Sequence, residues 1–170
     1  MEIKTLINEN DLTSRIEEVA KQIQKDFNGE EIVLICVLKG AAFFAIELAK
    51  RIESSVIIDF IKVSSYKGTT STGTLKFTSD ITQEIENKNV LVVEDIVDTG
   101  RTLSYLKDYL LSKNPKSLKF CTMLDKKERR EFDFTPDYTC FDIPDKFVIG
   151  YGLDFDEKYR NLPYIGYIEQ

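Results

Sequence analysis

The sequence predicts an α/β protein with a mainly parallel central sheet flanked by helices. Short continuous apolar runs rich in β-branched residues, IVLICVL at 32–38 and VLVV at 90–93, have the character of strands buried on both faces. Segments with apolar residues at helical spacing stand between such runs, the alternation expected of parallel strands joined by crossover helices. The chain has 170 residues, 42% of them hydrophobic and 31% charged. That suits one domain around a single core. No repeat, low-complexity tract or linker divides it, so one domain over 1–170 is expected.

The elements follow in order. Leu12, Ile16, Val19, Ile23 and Phe27 share one helical face, with Asp11 as a candidate cap and Gly29 as a stop. The run at 32–38 is a strand ended by Lys39 and Gly40, and 41–52 is a helix. VIIDFIKV at 56–63 is the next strand. SSYKGTTSTGTLKFTS at 64–79 is rich in Ser, Thr and Gly and has little to bury, which predicts a long mobile loop or hairpin, often a functional lid at this length. The strand at 90–93 leads to a helix whose apolar face is Leu103, Leu106 and Leu110. LKFCTML at 118–124 is a strand, and a short one at 147–149 enters a Gly- and Tyr-rich tail.

Composition narrows the function. A net charge of -6 argues against a general nucleic-acid binder, which must neutralise backbone phosphates with Lys and Arg. A small anion is still compatible, because a local cluster of donors overrides the global sign. There is no histidine, so His-based triads, His-ligated metals and His general bases are excluded. Acid-base work must fall to carboxylates, Lys, Tyr or Cys. Cys36, Cys121 and Cys140 show no metal spacing; Cys36 and Cys121 lie in apolar runs as small hydrophobes. A reducing, cytoplasmic setting is expected. No apolar run approaches the roughly 20 residues needed to span a bilayer, and MEIKTLINENDL lacks a signal-peptide core.

In parallel sheets ligands bind at the carboxyl ends of strands. Three such ends carry polar residues: Lys39 and Gly40; Glu94, Asp95 and 98–102; and Asp125, Lys126 and Lys127. A Thr-Gly-Arg-Thr turn opening a helix offers an anion its backbone amides, the hydroxyls of Thr99 and Thr102 and a favourable dipole, while Gly100 permits close approach. Helix capping by Asp98 or Thr102 would explain one of these residues. It does not explain Glu94, Asp95 and Asp98 crowded beside an anion site. Carboxylates there suit ribose hydroxyls, a magnesium ion or a proton in transit.

VLVVEDIVDTGRTL at 90–103 closely resembles the phosphoribosyl pyrophosphate signature of type I phosphoribosyltransferases. VLKGAAFF at 37–44, SSYKGTTSTG at 64–73, MLDKKERRE at 123–131 and PDKFVIGYGLDFDEKYRNLPYIG at 144–166 extend the resemblance, nearly end to end, to the hypoxanthine-guanine phosphoribosyltransferases. It implies the type I fold with a small hood formed by the terminal segments. It also implies transfer of the phosphoribosyl group to a 6-oxopurine, giving a nucleoside monophosphate and pyrophosphate with Mg2+.

Residue by residue, the resemblance places the 5′-phosphate on Asp98, Thr99, Gly100, Arg101 and Thr102, although Arg101 stands where the family varies. Glu94 and Asp95 lie along the ribose, and Asp98 is the acid-base partner at N7. Lys126 donates to O6, Phe147 stacks on the purine and the Val148 backbone reads the edge near C2. Asp154 lies near the base and, with Glu94 and Asp95, contributes to the metal site. Lys39, Gly40 and Arg160 take pyrophosphate, with a non-proline cis peptide in the Lys39-Gly40 turn. The loop carrying Ser65 and Tyr66 closes over the centre. Lys127 and the run 128–131 are expected to be solvated surface. A homodimer or homotetramer that binds neither nucleic acid nor membrane completes the expectation.

Overall fold

The structure is a computed structural model that describes residues 1–65 and 75–169. In chain order its elements are β1 (Ile3–Ile7), α1 (Glu9–Asp26), β2 (Ile32–Val37), α2 (Ala42–Lys50), β3 (Val56–Ser65), β4 (Leu75–Ser79), β5 (Asn89–Val97), α3 (Arg101–Leu111), β6 (Ser117–Asp125), a 3-10 turn (Lys127–Arg129), β7 (Tyr138–Asp142), β8 (Val148–Ile149) and β9 (Ile165–Ile168).

The apolar runs form the middle of a six-stranded sheet of order β4-β3-β2-β5-β6-β7. β2 pairs in parallel with β3 and β5, β5 with β6, and β6 with β7; only β4 is antiparallel. Every residue of β2 is buried, and strand alternation divides them between two faces. Ile32, Leu34 and Cys36 pack with Leu12, Ile16 and Ile23 of α1 and Phe44 and Leu48 of α2. Val33, Ile35 and Val37 pack with Leu103, Leu106 and Leu110 of α3. Truncating a fully buried leucine such as Leu106 in so layered a core costs about 2–5 kcal/mol.

Asn8, not Asp11, caps α1: its Oδ1 accepts the Asp11 amide at 2.8 Å. An Asn at this position satisfies a helix-start donor as well as Asp does, and the helix begins one turn earlier than its apolar face. Gly29, at φ 73, ends the helix region as expected. Of the Ser- and Thr-rich segment, Ser64 and Ser65 end β3 and Leu75–Ser79 form β4, which pairs antiparallel with it, Ser65 opposite Leu75. Tyr66 lies outside the described residues.

The terminal segments build the hood. β1 pairs with β9, and β9 with β8, in a separate antiparallel sheet of order β1-β9-β8. The strand at 147–149 therefore belongs to the hood, not to the central sheet. β1, β7 and β9 were not visible as strands in the sequence. Among the described residues no helix is long and apolar enough to cross a membrane. The carboxyl ends of β2, β5 and β6 converge beneath the hood, and the polar strand ends meet there.

Candidate active site

β5 enters α3 through Asp98, Thr99 and Gly100. Gly100 is the helix N-cap at φ 85, a left-handed conformation that favours glycine. Gly100, as the N-cap, supplies no side-chain hydrogen bond, so among the described residues neither Asp98 nor Thr102 is the cap of α3. The Thr99 hydroxyl accepts from the Arg101 amide at 3.3 Å. The turn thus presents the amino end of a helix to a cavity of about 260 Å³, lined by Gly40, Glu94, Asp95, Asp98, Thr99, Gly100, Arg101 and Thr102. That geometry suits a phosphate group.

Glu94 and Asp95 stand side by side at the end of β5. Burial, followed by the charge of Asp95, pushes the Glu94 carboxyl well above the usual range. Burial raises Asp95 too, against the lowering effects of its hydrogen bond with Glu94 and of Arg160. Glu94 accepts the Asp95 amide at 2.9 Å, and Asp95 accepts the Ile96 amide at 2.7 Å. Two adjacent carboxyl groups, half-buried where they line the cavity, form a place for cationic charge.

A Cβ on Gly40 would stand 1.8 Å from Asp95 Oδ2, and one on Gly152 would stand 2.1 Å from the Gly40 carbonyl. Glycine at both positions lets the β2 end, the β5 end and the C-terminal segment close on one another. The cis peptide here is Leu38–Lys39, one bond before the expected Lys39-Gly40. Lys39 Nζ meets Glu157 at 3.0 Å. Arg160 donates to the Gly152 carbonyl at 2.6 Å and lies 3.6 Å from Asp154. Asp154 also accepts the Glu157 amide at 2.9 Å. Gly40 and Arg160 are thereby brought to Asp95, and Lys39 and Asp154, far apart in sequence, join the same group through Glu157 and Arg160. Among the described residues no group of three or more carboxylates or thiols is assembled as a ready-made metal cage. Magnesium seldom needs one, since it binds through one or two carboxylates plus phosphates and water. The paired charge of Glu94 and Asp95 fits such an ion.

A second cavity, of about 610 Å³, opens on the other side of Asp98. Its walls are Asp98, Lys126, Arg129, Asp145, Lys146, Phe147, Tyr167, Ile168 and Glu169. The Lys126 side chain is only 11% exposed, with its amine 3.6 Å from Asp145. Phe147 is exposed and packs edge-on against Phe155 at 5.6 Å, which leaves a ring face open for stacking. Val148 is buried in β8, where it pairs with Tyr167. Asp98 lines both cavities and stands between them.

The charged run after β6 is only partly solvated surface. Lys127 is exposed beside Asp142, as expected. Arg129 instead reaches Asp98 at 2.7 Å and Asp145 at 3.5 Å. Arg130 folds inward to the Asp125 carboxylate. Burial raises the Asp125 carboxyl, with Arg130 opposing the shift. The lining residues Asp145, Lys146, Tyr167, Ile168 and Glu169 were also not singled out from the sequence. The one available signal was position, because a charged run directly after a buried strand stands at the edge where ligands bind.

The family described as phosphoribosyl transferase domain matches residues 4–156 of this chain. A hypoxanthine-guanine phosphoribosyltransferase from Aquifex aeolicus is 47% identical, covering 98% of this chain and 95% of that protein. One from Streptococcus thermophilus is 45% identical over 98% of this chain and 93% of its own length. The crystal structure of a hypoxanthine-guanine phosphoribosyltransferase from Bacillus anthracis superimposes with a TM-score of 0.94 at 54% identity, covering 99% of this chain and all of that one.

Proposed function

The chain belongs to the phosphoribosyl transferase domain family, and from that membership we propose that it serves purine salvage. It transfers the 5-phosphoribosyl group from phosphoribosyl pyrophosphate to hypoxanthine or guanine, releasing pyrophosphate and forming IMP or GMP. One observation carries the assignment to this site: Asp98 stands between a phosphate-sized cavity at a helix amino end and a larger cavity with a lysine and an open aromatic face.

The 5′-phosphate rests on the turn of Asp98, Thr99, Gly100, Arg101 and Thr102, whose donors and helix dipole oppose its charge. Glu94 and Asp95 lie along the ribose hydroxyls. The 6-oxopurine enters the larger cavity, where Phe147 stacks on it, Val148 meets its C2 edge and Lys126 donates to O6. Lysine has donors only, so it suits a 6-oxo group and leaves a 6-amino group unmatched. Asp98 faces N7 and takes the proton the base gives up as the bond to ribose forms, a role that contributes about 10²–10⁴-fold in rate.

Lys39, Gly40 and Arg160 hold the departing pyrophosphate. Glu94, Asp95 and, through water, Asp154 are the residues that would hold Mg2+, which supplies neutralisation of the pyrophosphate charge. The segment carrying Ser65 and Tyr66 closes over the reacting centre to exclude water.

The chain acts as one domain in the cytoplasm, without nucleic-acid or membrane partners, as a homodimer or homotetramer. Exposed Phe43 and Ile46 on α2 and Ile58 and Phe60 on β3 are the apolar surface such an assembly would cover. The test is pyrophosphate release with Mg2+ and a panel of hypoxanthine, guanine, xanthine, adenine and uracil. Turnover of hypoxanthine or guanine is expected; activity confined to adenine or uracil overturns the proposal.

A further inference from the structure

Behind the phosphate turn lies a cation with no part in the chemistry above. Arg130 is 17% exposed, and its partner Asp125, the last residue of β6, is 1% exposed. The guanidinium donates to three acceptors: the Asp98 carbonyl at 3.3 Å, the Phe134 carbonyl at 2.5 Å and the Asp125 carboxylate. Its stem runs under the next residues of the turn, with Cδ 2.9 Å from where a Cβ on Gly100 would stand. The amides of Glu131 and Phe132 donate to the Thr99 carbonyl at 2.9 and 3.0 Å. Segment 130–132 therefore grips three consecutive residues of the turn, 98, 99 and 100, from the side away from the cavity.

The carbonyls explain why this grip matters. An anion turn works by aiming its amides at the ligand, which requires its carbonyls to point away and find partners there. The Asp98 carbonyl is taken by Arg130, that of Thr99 by two amides, and that of Gly100 by the Ser104 amide at 2.9 Å. Only a planar, multi-donor head meets the Asp98 carbonyl, the Phe134 carbonyl and a buried carboxylate together; a lysine ammonium has no such fork. A buried ion pair is by itself weak evidence of a stability role. We infer that Arg130 is a positioning residue for the 5′-phosphate subsite. It holds the Asp98 carbonyl away from the ligand, sets the following residues whose amides hold that of Thr99, and anchors the turn to the strand end that carries Lys126. The inference rests on the reading of 98–102 as the phosphate turn.

The test is Arg130→Lys, with steady-state kinetics in both substrates and titration of ribose 5-phosphate as the probe. KM for phosphoribosyl pyrophosphate and the dissociation constant of ribose 5-phosphate are expected to rise about tenfold or more, as a turn displaced by a fraction of an ångström requires, while KM for hypoxanthine stays within about twofold. A purely structural role would lower thermal stability and leave this split between substrates absent. Should Arg130→Lys not fold, the pair Arg130→Gln with Asp125→Asn removes the buried charge and gives the same readout. A folded variant whose two KM values move together, or not at all, overturns the inference. Wild-type protein that neither binds ribose 5-phosphate nor turns over overturns the proposed function instead.

Discussion

Arg129 and Asp98 form an ion pair of 2.7 Å at the junction of the two cavities. The guanidinium occupies the carboxylate that the proposed reaction needs for purine N7, and Asp145 stands 3.5 Å away as an alternative partner. In the proposed reaction, entry of the base would therefore exchange one partner of Asp98 for another.

Asp98→Asn is expected to lower turnover by about 10²–10³-fold with little change in thermal stability, because the amide keeps the shape and loses the proton acceptor. Arg129→Gln removes the competitor instead. Both groups are half-exposed, and pairs of that kind contribute little, so KM for the base should fall by no more than about fivefold. Initial-rate kinetics at saturating phosphoribosyl pyrophosphate checks both. An unchanged turnover in Asp98→Asn would remove the acid-base assignment.

Lys126→Gln should redistribute base preference. An amide can accept as well as donate, so the penalty against a 6-amino group shrinks while the charged donor to O6 is lost. The ratio of hypoxanthine to adenine kcat/KM is expected to fall at least about tenfold. Competition between the two bases measures it directly.

Gly40→Ala drives a methyl group into the Asp95 carboxylate, 1.8 Å from Oδ2. The carboxylate can rotate away, so the protein should fold, but the strand-end geometry is lost. A drop of about 10²-fold in kcat/KM for phosphoribosyl pyrophosphate is expected. In an Asp95→Ala background the same substitution should cost little more, a non-additivity that a double-mutant cycle detects.

The thiols set an alkaline limit. Burial pushes Cys36 from 9.0 to about 12 and Cys140 likewise to about 12, and it raises Cys121 as well. The folded state holds these protons more tightly than the unfolded chain. Their contribution is intact below pH 9.0 and is lost progressively as pH climbs toward about 12. Denaturant midpoints should therefore fall above that lower bound, and less steeply in Cys36→Ala/Cys140→Ala than in wild type. The native thiols should also resist alkylation until the protein unfolds. Rapid labelling of the native protein would contradict this.

Much of the architecture was legible because the middle strands are dry on both sides. IVLICV and VLVV leave little choice of structure. The edge strand YTCFD and the hood strands IKTLI and IGYI alternate only partly in burial, and their pairing links residues such as Ile3 and Ile168, which no local pattern announces. The turn proposed to hold the phosphate stood out in the sequence because glycine and threonine at a strand-to-helix junction have few other uses. Arg129 and Arg130 were not, since KKERR reads the same whether its charges face water or an aspartate. Their roles depend on the 3-10 turn at Lys127–Arg129, which sends neighbouring side chains to opposite sides of Asp98.

The hood has a consequence for synthesis on the ribosome. The segment 130–132 that grips the turn at 98–100 follows β6, and Tyr167 and Ile168, which wall the larger cavity, lie on β9. Until β9 arrives, β1 has no partner and leaves an open edge that another nascent chain could join. Neither cavity is thus finished while α3 is the last element made: the turn waits for 130–132, and the larger cavity waits for β9, the strand that also closes the open edge of β1.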